Sequence, residues 1–257
     1  MKHKNLRYDG TFDGFLTAVF TVFEQKLTQV DLQKESDLQG GLFSEIEIII
    51  TDESKANRVW KGIKSKLSPQ GSYQLYYAFL SEQDGVEALL LDYITYAFAS
   101  DENVDKDYSH PSILKIAQIA KMVGREKHRM EAFVRFKLTK DDVYFANIEP
   151  DFNVLPLISK HFKNRYADQK WMIYDIKRQY GLYYDLQTVS LMQMYLPKDF
   201  NFTKTDENYF AAEDLDFQTL WQDYFKSTNI ASRKNMKLHV RHVPKRYWKY
   251  LSEKQPN

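Results

Sequence analysis

His161 and Arg165 lie one helical turn apart in NVLPLISKHFKNRY (153–166), where Val154, Leu155, Leu157, Ile158 and Phe162 mark the apolar side. Both polar residues fall inside that side, where an unsatisfied polar group is costly. One chemistry that fits is a candidate catalytic set. His161 would transfer a proton or donate a hydrogen bond, and Arg165 would hold a phosphate or carboxylate. Asp175, inside the strand-like WMIYDIK, would be their acid partner. The competing reading is a buried His–Arg–Asp network that fixes helix to sheet, since structural ion pairs also perturb protonation.

A second chemistry is recognition of a polyanion. Between Tyr224 and Ser252 there is no acidic residue, and the stretch holds Arg233, Lys234, Arg241, Lys245 and Arg246, with Tyr247 and Trp248 beside them. Guanidinium and ammonium groups suit phosphates, and aromatic faces suit bases. GREKHRMEAFVRF (124–136) adds Arg125 and Arg129, four residues apart on one face if the helix reaches that far. The alternatives are a solvated helix end and a C-terminus docked by Tyr247, Trp248 and Leu251 while its charges stay wet. His239 and His242 have the spacing of two metal ligands, but a site needs more ligands and the chain has no cysteine. No metal site and no cofactor is expected. P-loop, GxGxxG, GxSxG and HExxH patterns are absent.

These groups need elements to hold them. Thr11 caps a helix through TFDGFLTAVFTVFEQKL, and residues 29–43 read as a polar loop. EIEIIIT (45–51) suits a strand, and Asp52-Glu53 suits the start of a helix that Ser68-Pro69 ends. Helices are expected over 70–81 and 83–99. The charged SDENVDKDYS (100–109) reads as a linker, followed by a helix opened by Pro111. AFVRFKL (132–138) and VYFANI (143–148) read as a hairpin, 153–166 as a helix, 171–194 as three short strands, and 215–225 as a helix. The fold class is α+β: a helical N-terminal part with one or two strands, and a C-terminal part with a mainly antiparallel sheet covered by helices.

The near-neutral total of +1 hides an asymmetry. Residues 1–108 carry 11 Lys/Arg and 18 Asp/Glu; residues 109–257 carry 25 and 17. The domains are therefore read as an acidic 1–108 and a basic 109–257 with its basic and aromatic tail. An uneven distribution of this kind points to a nucleic-acid or acidic partner. With no cysteine, disulfides and thiolate-held clusters are excluded for this chain. No apolar run has signal or membrane-spanning length, so a cytoplasmic protein is expected.

Several long stretches together resemble one bacterial family assigned to DNA metabolism and DNA repair. They are YDGTFDGFLTAVF, VGREKHRMEAFVRF, IEPDFNVLPLISKHFKNRYADQKWMIYDIKRQYGLYYD and LWQDYFKSTNIASRKNMKLHVRHVPKRYWKYLSE, in that order. The family is built on a domain of unknown function. Its members are typically encoded beside a radical-SAM protein, and some relatives are joined to a uracil-DNA-glycosylase-type domain. The resemblance implies DNA as context and a radical-SAM enzyme as partner, and it supplies no catalytic residue. A radical-SAM cluster needs three cysteines, so it would belong to that partner. Three functions follow: an accessory protein binding DNA through the basic half, a hydrolase or glycosylase-like enzyme using His161, Arg165 and Asp175, or a protein-binding scaffold.

Overall fold

Leu6 and Tyr8 are fully buried, and they belong to the middle strand of a three-stranded parallel sheet. The computed structural model describes residues 4–36, 45–193, 210, 240, 243–251 and 254. In the first sheet, β1 (Lys4–Tyr8) lies between β2 (Val30–Lys34) and β3 (Glu45–Ile48). β1 and β2 are strands that the sequence reading missed. VDLQK buries only Leu32, so its alternation is faint, and it fell in the segment taken as a loop.

The helices around this sheet begin where side-chain oxygens can satisfy free N–H groups. Thr11 accepts from Gly14 N at 2.9 Å to open α1 (Phe12–Glu24). Asp52 accepts from the N–H groups of Ser54 and Lys55 to open α2 (Glu53–Lys66). Ser68 caps α3 (Pro69–Phe79), with proline in its first turn. α4 (Val86–Ala99) follows Gly85, whose φ of 78° is the left-handed value glycine tolerates. Phe12, Phe15 and Phe79 meet at ring separations of 5.0–6.3 Å in the core of this unit.

The charged stretch 100–109 is tied down. Val104 and Asp105 are buried, and Asp105 accepts from Ser68 N at 2.9 Å. By contact density the chain divides into residues 1–124 and 125–257. The division falls inside α5 (Pro111–Phe133).

α5 also corrects the expected hairpin. The helix continues to Phe133, so only Lys137–Leu138 (β4) is left to pair with β5 (Tyr144–Ile148). The second sheet has the order β4-β5-β6-β7-β8, with β6 (Trp171–Asp175), β7 (Tyr180–Tyr184) and β8 (Val189–Met192). All its pairings are antiparallel except β5 with β6, which α6 (Leu155–Arg165) connects. The fold is thus α+β as read, and the 171–194 meander was legible. Phe162 of α6 packs on Trp171 of β6 at 6.2 Å between ring centroids, and Trp171 meets Tyr184 of β7 at 5.5 Å. The helix expected at 215–225 lies outside the described residues. Among the described residues no helix is long and apolar enough to cross a membrane.

Candidate nucleic-acid interface

Glu126 stands in a basic run yet is 1% exposed, because α5 turns it to the side that also buries Val123 and Met130. A carboxylate there must be fully bonded. It accepts from Asp151 N at 3.0 Å, from Arg246 Nη2 at 3.0 Å and from the hydroxyl of Tyr247. Arg129 Nη1 adds a fourth contact at 3.4 Å. Three of the stretches quoted above therefore meet around one carboxylate: GREKHRM, IEPD and KRYWKYL.

The 3-10 helix Lys245–Tyr250 carries the last of them. Tyr247 is 2% exposed, and its ring lies 5.7 Å from that of Phe133. Burial and the neighbouring Glu126 push its phenol well above the ordinary range. Arg246 also pairs with Asp151 at 2.7 Å. Glu149 accepts from Lys249 and Tyr250, and the Lys249 hydrogen bond chiefly holds its carboxyl below the ordinary value. Burial and the Glu149 hydrogen bond push the Tyr250 phenol up to about 12.

Asp175 anchors the other wall. Fully buried at the end of β6, it accepts from the N–H groups of Lys177 and Arg178 at 2.9 and 3.1 Å, closing the turn into β7. Its second oxygen pairs with Arg178 Nη1 at 2.9 Å. Arg178 in turn donates to the carbonyls of Pro150 and Asp151, and Lys177 Nζ reaches Asp151 O at 3.3 Å. Burial pushes the Asp175 carboxyl up, and Arg178 opposes that shift. Asp175 and Arg178 thus hold the 149–151 segment from one side while Glu126 holds it from the other.

Between these walls lies an open cavity of about 590 Å³, lined by Glu149, Asp151, Lys177, Lys245, Arg246 and Lys249. Four cations face two carboxylates, so the lining keeps a positive excess that suits an anion.

The sequence-read candidates fare differently. Lys245 and Arg246 reach the cavity, although Arg246 is also bound to Glu126 and Asp151. Tyr247 is a correction: its ring is sealed in the core and offers no face for a base. Trp248 is half-buried, donates to Val243 O at 3.0 Å, and has Lys245 Nζ 6.0 Å from its ring centroid. Arg129 is held by Glu126, whereas Arg125 is exposed with no ion pair among the described residues. Arg233, Lys234 and Arg241 lie outside the described residues, as do His239 and His242.

The trio His161, Arg165 and Asp175 is also corrected, because no hydrogen bond or ion pair joins any two of them. His161 Nδ1 is 3.8 Å from Glu131, and Arg165 is exposed beside the Tyr166 ring. Asp175 is spent on Arg178, three residues along its own turn, so proton transfer to a substrate has no open acid there. Among the described residues no group of three or more His, Asp or Glu side chains is arranged to hold a metal ion. Sequence reasoning missed Glu126, Glu149, Asp151, Lys177 and Arg178, while Lys249 stood in the acid-free basic stretch without being singled out. Of the missed residues Glu126 left a signal, an acid in step with Val123 and Met130 on the apolar face of α5.

No curated protein matches this chain. Solved structures that match include a pGpG-specific phosphodiesterase, PggH, from Vibrio cholerae, at 8% identity and a TM-score of 0.38, covering 71% of this chain and 81% of that one. A likeness that low carries no argument about activity. Residues 84–253 match a domain of unknown function, DUF4130, and that span includes Glu126, the 149–151 segment, the Asp175 turn and the 3-10 helix: the chain belongs to the DUF4130 family.

Proposed function

We propose that this protein binds nucleic acid through the cation-lined cavity of residues 125–257 and serves as an accessory factor in DNA metabolism. The observation that carries the reading is the convergence of Lys177, Lys245, Arg246 and Lys249 on one open cavity. Its walls are fixed by buried carboxylates, so the cations are presented in a set arrangement and not on a loose tail. Phosphate contacts of this kind position a strand without reading its sequence. Trp248, beside Lys245, supplies the aromatic face that Tyr247 does not. The resemblance to a family encoded beside radical-SAM proteins adds such an enzyme as the partner, docked on the acidic N-terminal region.

Lys177→Glu and Lys245→Glu together test the reading, since neither residue bonds Glu126. Binding of a fluorescent single-stranded oligonucleotide should weaken at least tenfold. With both lysines changed to Ala, the dependence of log affinity on log salt should become shallower by about 1.4, at roughly 0.7 per phosphate contact. Affinity and salt slope equal to those of the parent protein would reject the cavity as the interface. Co-expression with the adjacent radical-SAM enzyme tests the partner separately; independent migration of the two proteins at low salt removes that part.

A further inference from the structure

β3 is an edge strand: the order β2-β1-β3 leaves its outer side without a partner among the described residues. Ile49 donates its N–H to Arg7 O at 2.7 Å, on the β1 side. Main-chain groups alternate along a strand, so those of Ile46 and Ile48 point outward, away from β1; β3 ends at Ile48, and the same alternation carried two residues further would turn those of Ile50 outward as well. The side chains of the same three residues are 46, 63 and 85% exposed. Edge strands are normally blunted by lysine, proline or a bulge. EIEIIIT (45–51) contains no lysine and no proline.

We infer that this edge pairs with its own copy, and that β3 is the contact of a two-fold homodimer with the strands antiparallel and Ile48 on the axis. The pattern is self-complementary about Ile48. Ile46 falls opposite Ile50, Ile48 opposite itself, and each of these pairs exchanges two N–H···O=C bonds through the outward groups. The same residues stack apolar side chains across the axis. Avoidance of like charges selects the register. Glu47 falls opposite Ile49, so the two Glu47 carboxylates do not meet. An axis at Glu47 would set the two Glu47 side chains against each other, and an axis at Ile49 would set Ile46 against Asp52. A peptide from another protein has no reason to match this symmetry, whereas an identical strand matches it automatically. Pairing one strand on each side buries less than a standard interface of about 1,600 Å², so the dimer is expected to dissociate on dilution.

The absence of cysteine in the chain makes the test clean. Single variants Ile48→Cys, Ile46→Cys and Ile50→Cys of the full-length protein are oxidised mildly, with Gln118→Cys, exposed on α5, as the control. Ile48→Cys should cross-link to a dimer, since hydrogen-bonded opposite residues have Cα atoms about 5.5 Å apart, within the span of a disulfide. Ile46→Cys and Ile50→Cys should cross-link when mixed, and neither alone should exceed the control. In sedimentation, the parent protein should show a dimer that dissociates on dilution. Ile48→Lys, a change at an exposed site whose fold is checked by circular dichroism, should be monomeric throughout. A parent protein that is monomeric at every concentration overturns the proposal. So does an Ile48→Lys dimer, or an Ile46→Cys variant that cross-links by itself as fast as Ile48→Cys.

Discussion

The hydroxyl of Tyr247 donates to the buried carboxylate of Glu126, a residue 121 positions earlier in the chain. This contact ties the C-terminal 3-10 helix to α5, and through Asp151 N it ties both to the segment ahead of α6. The basic cavity exists because these pieces are held together. Replacing Tyr247 by Phe removes one donor from a carboxylate that keeps Arg246 and Asp151. The expected loss is about 1–2 kcal/mol in urea unfolding. Tyr247→Ala also opens a core void and is expected to cost about 3–5 kcal/mol. Equal stabilities for the parent protein and Tyr247→Ala would show that the clasp contributes nothing.

Arg178 leaves Asp175 as a buried charge without its partner when it is removed. Arg178→Ala is therefore expected to lower stability by about 3–5 kcal/mol. Arg178→Lys should recover little, because an ammonium group cannot reach Asp175 and the two carbonyls of 150 and 151 with one planar fork. Chemical denaturation of both variants checks this, and full recovery by lysine would contradict the bonding described.

Glu149 contributes a pH-dependent part of the stability. Hydrogen bonds from Lys249 and Tyr250 place its folded pKa below the ordinary 4.5. A depressed carboxyl stabilises the fold fully above its unfolded pKa and loses that contribution as pH falls through the folded value. Denaturation midpoints of the parent protein and Glu149→Gln should therefore differ at pH 7 and draw together below about pH 4. A gap that stays constant down to acid conditions would assign the effect to something other than this ionisation.

Gly71 sits against the Asp105 carboxylate: an added Cβ would lie 2.6 Å from Oδ1 and 2.7 Å from Cγ. Asp105 is buried and holds Ser68 N, so it has little room to retreat. Gly71→Ala is expected to destabilise residues 1–124 by about 1–3 kcal/mol in spite of alanine's better helix propensity. A thermal melt that rises instead would mean the 100–109 stretch is not docked as described.

Much of the local structure was legible in the residues themselves. Thr11 and Asp52 announce helix starts because capping is a contact between residues two or three apart, whereas Ser68-Pro69, read as a helix end, also caps the next helix. The strands of 171–194 follow from alternation and from turns that bring near neighbours together. The uneven charge and the lack of cysteine are properties of the sequence alone. Tertiary structure decided the rest, because its partners are remote. Asp175 is the exception: its counterion Arg178 is three residues away, and only the tightness of the β6–β7 turn was hidden. Nothing near Tyr247 shows that its ring faces Phe133 and its hydroxyl faces Glu126. The parallel pairing of β1 with β2 and β3 was equally hidden, since parallel neighbours are joined through helices and loops and leave no turn signal in the sequence. Periodicity reports which side of an element is buried; only the closed fold reports which carboxylate, cation or ring waits on that side.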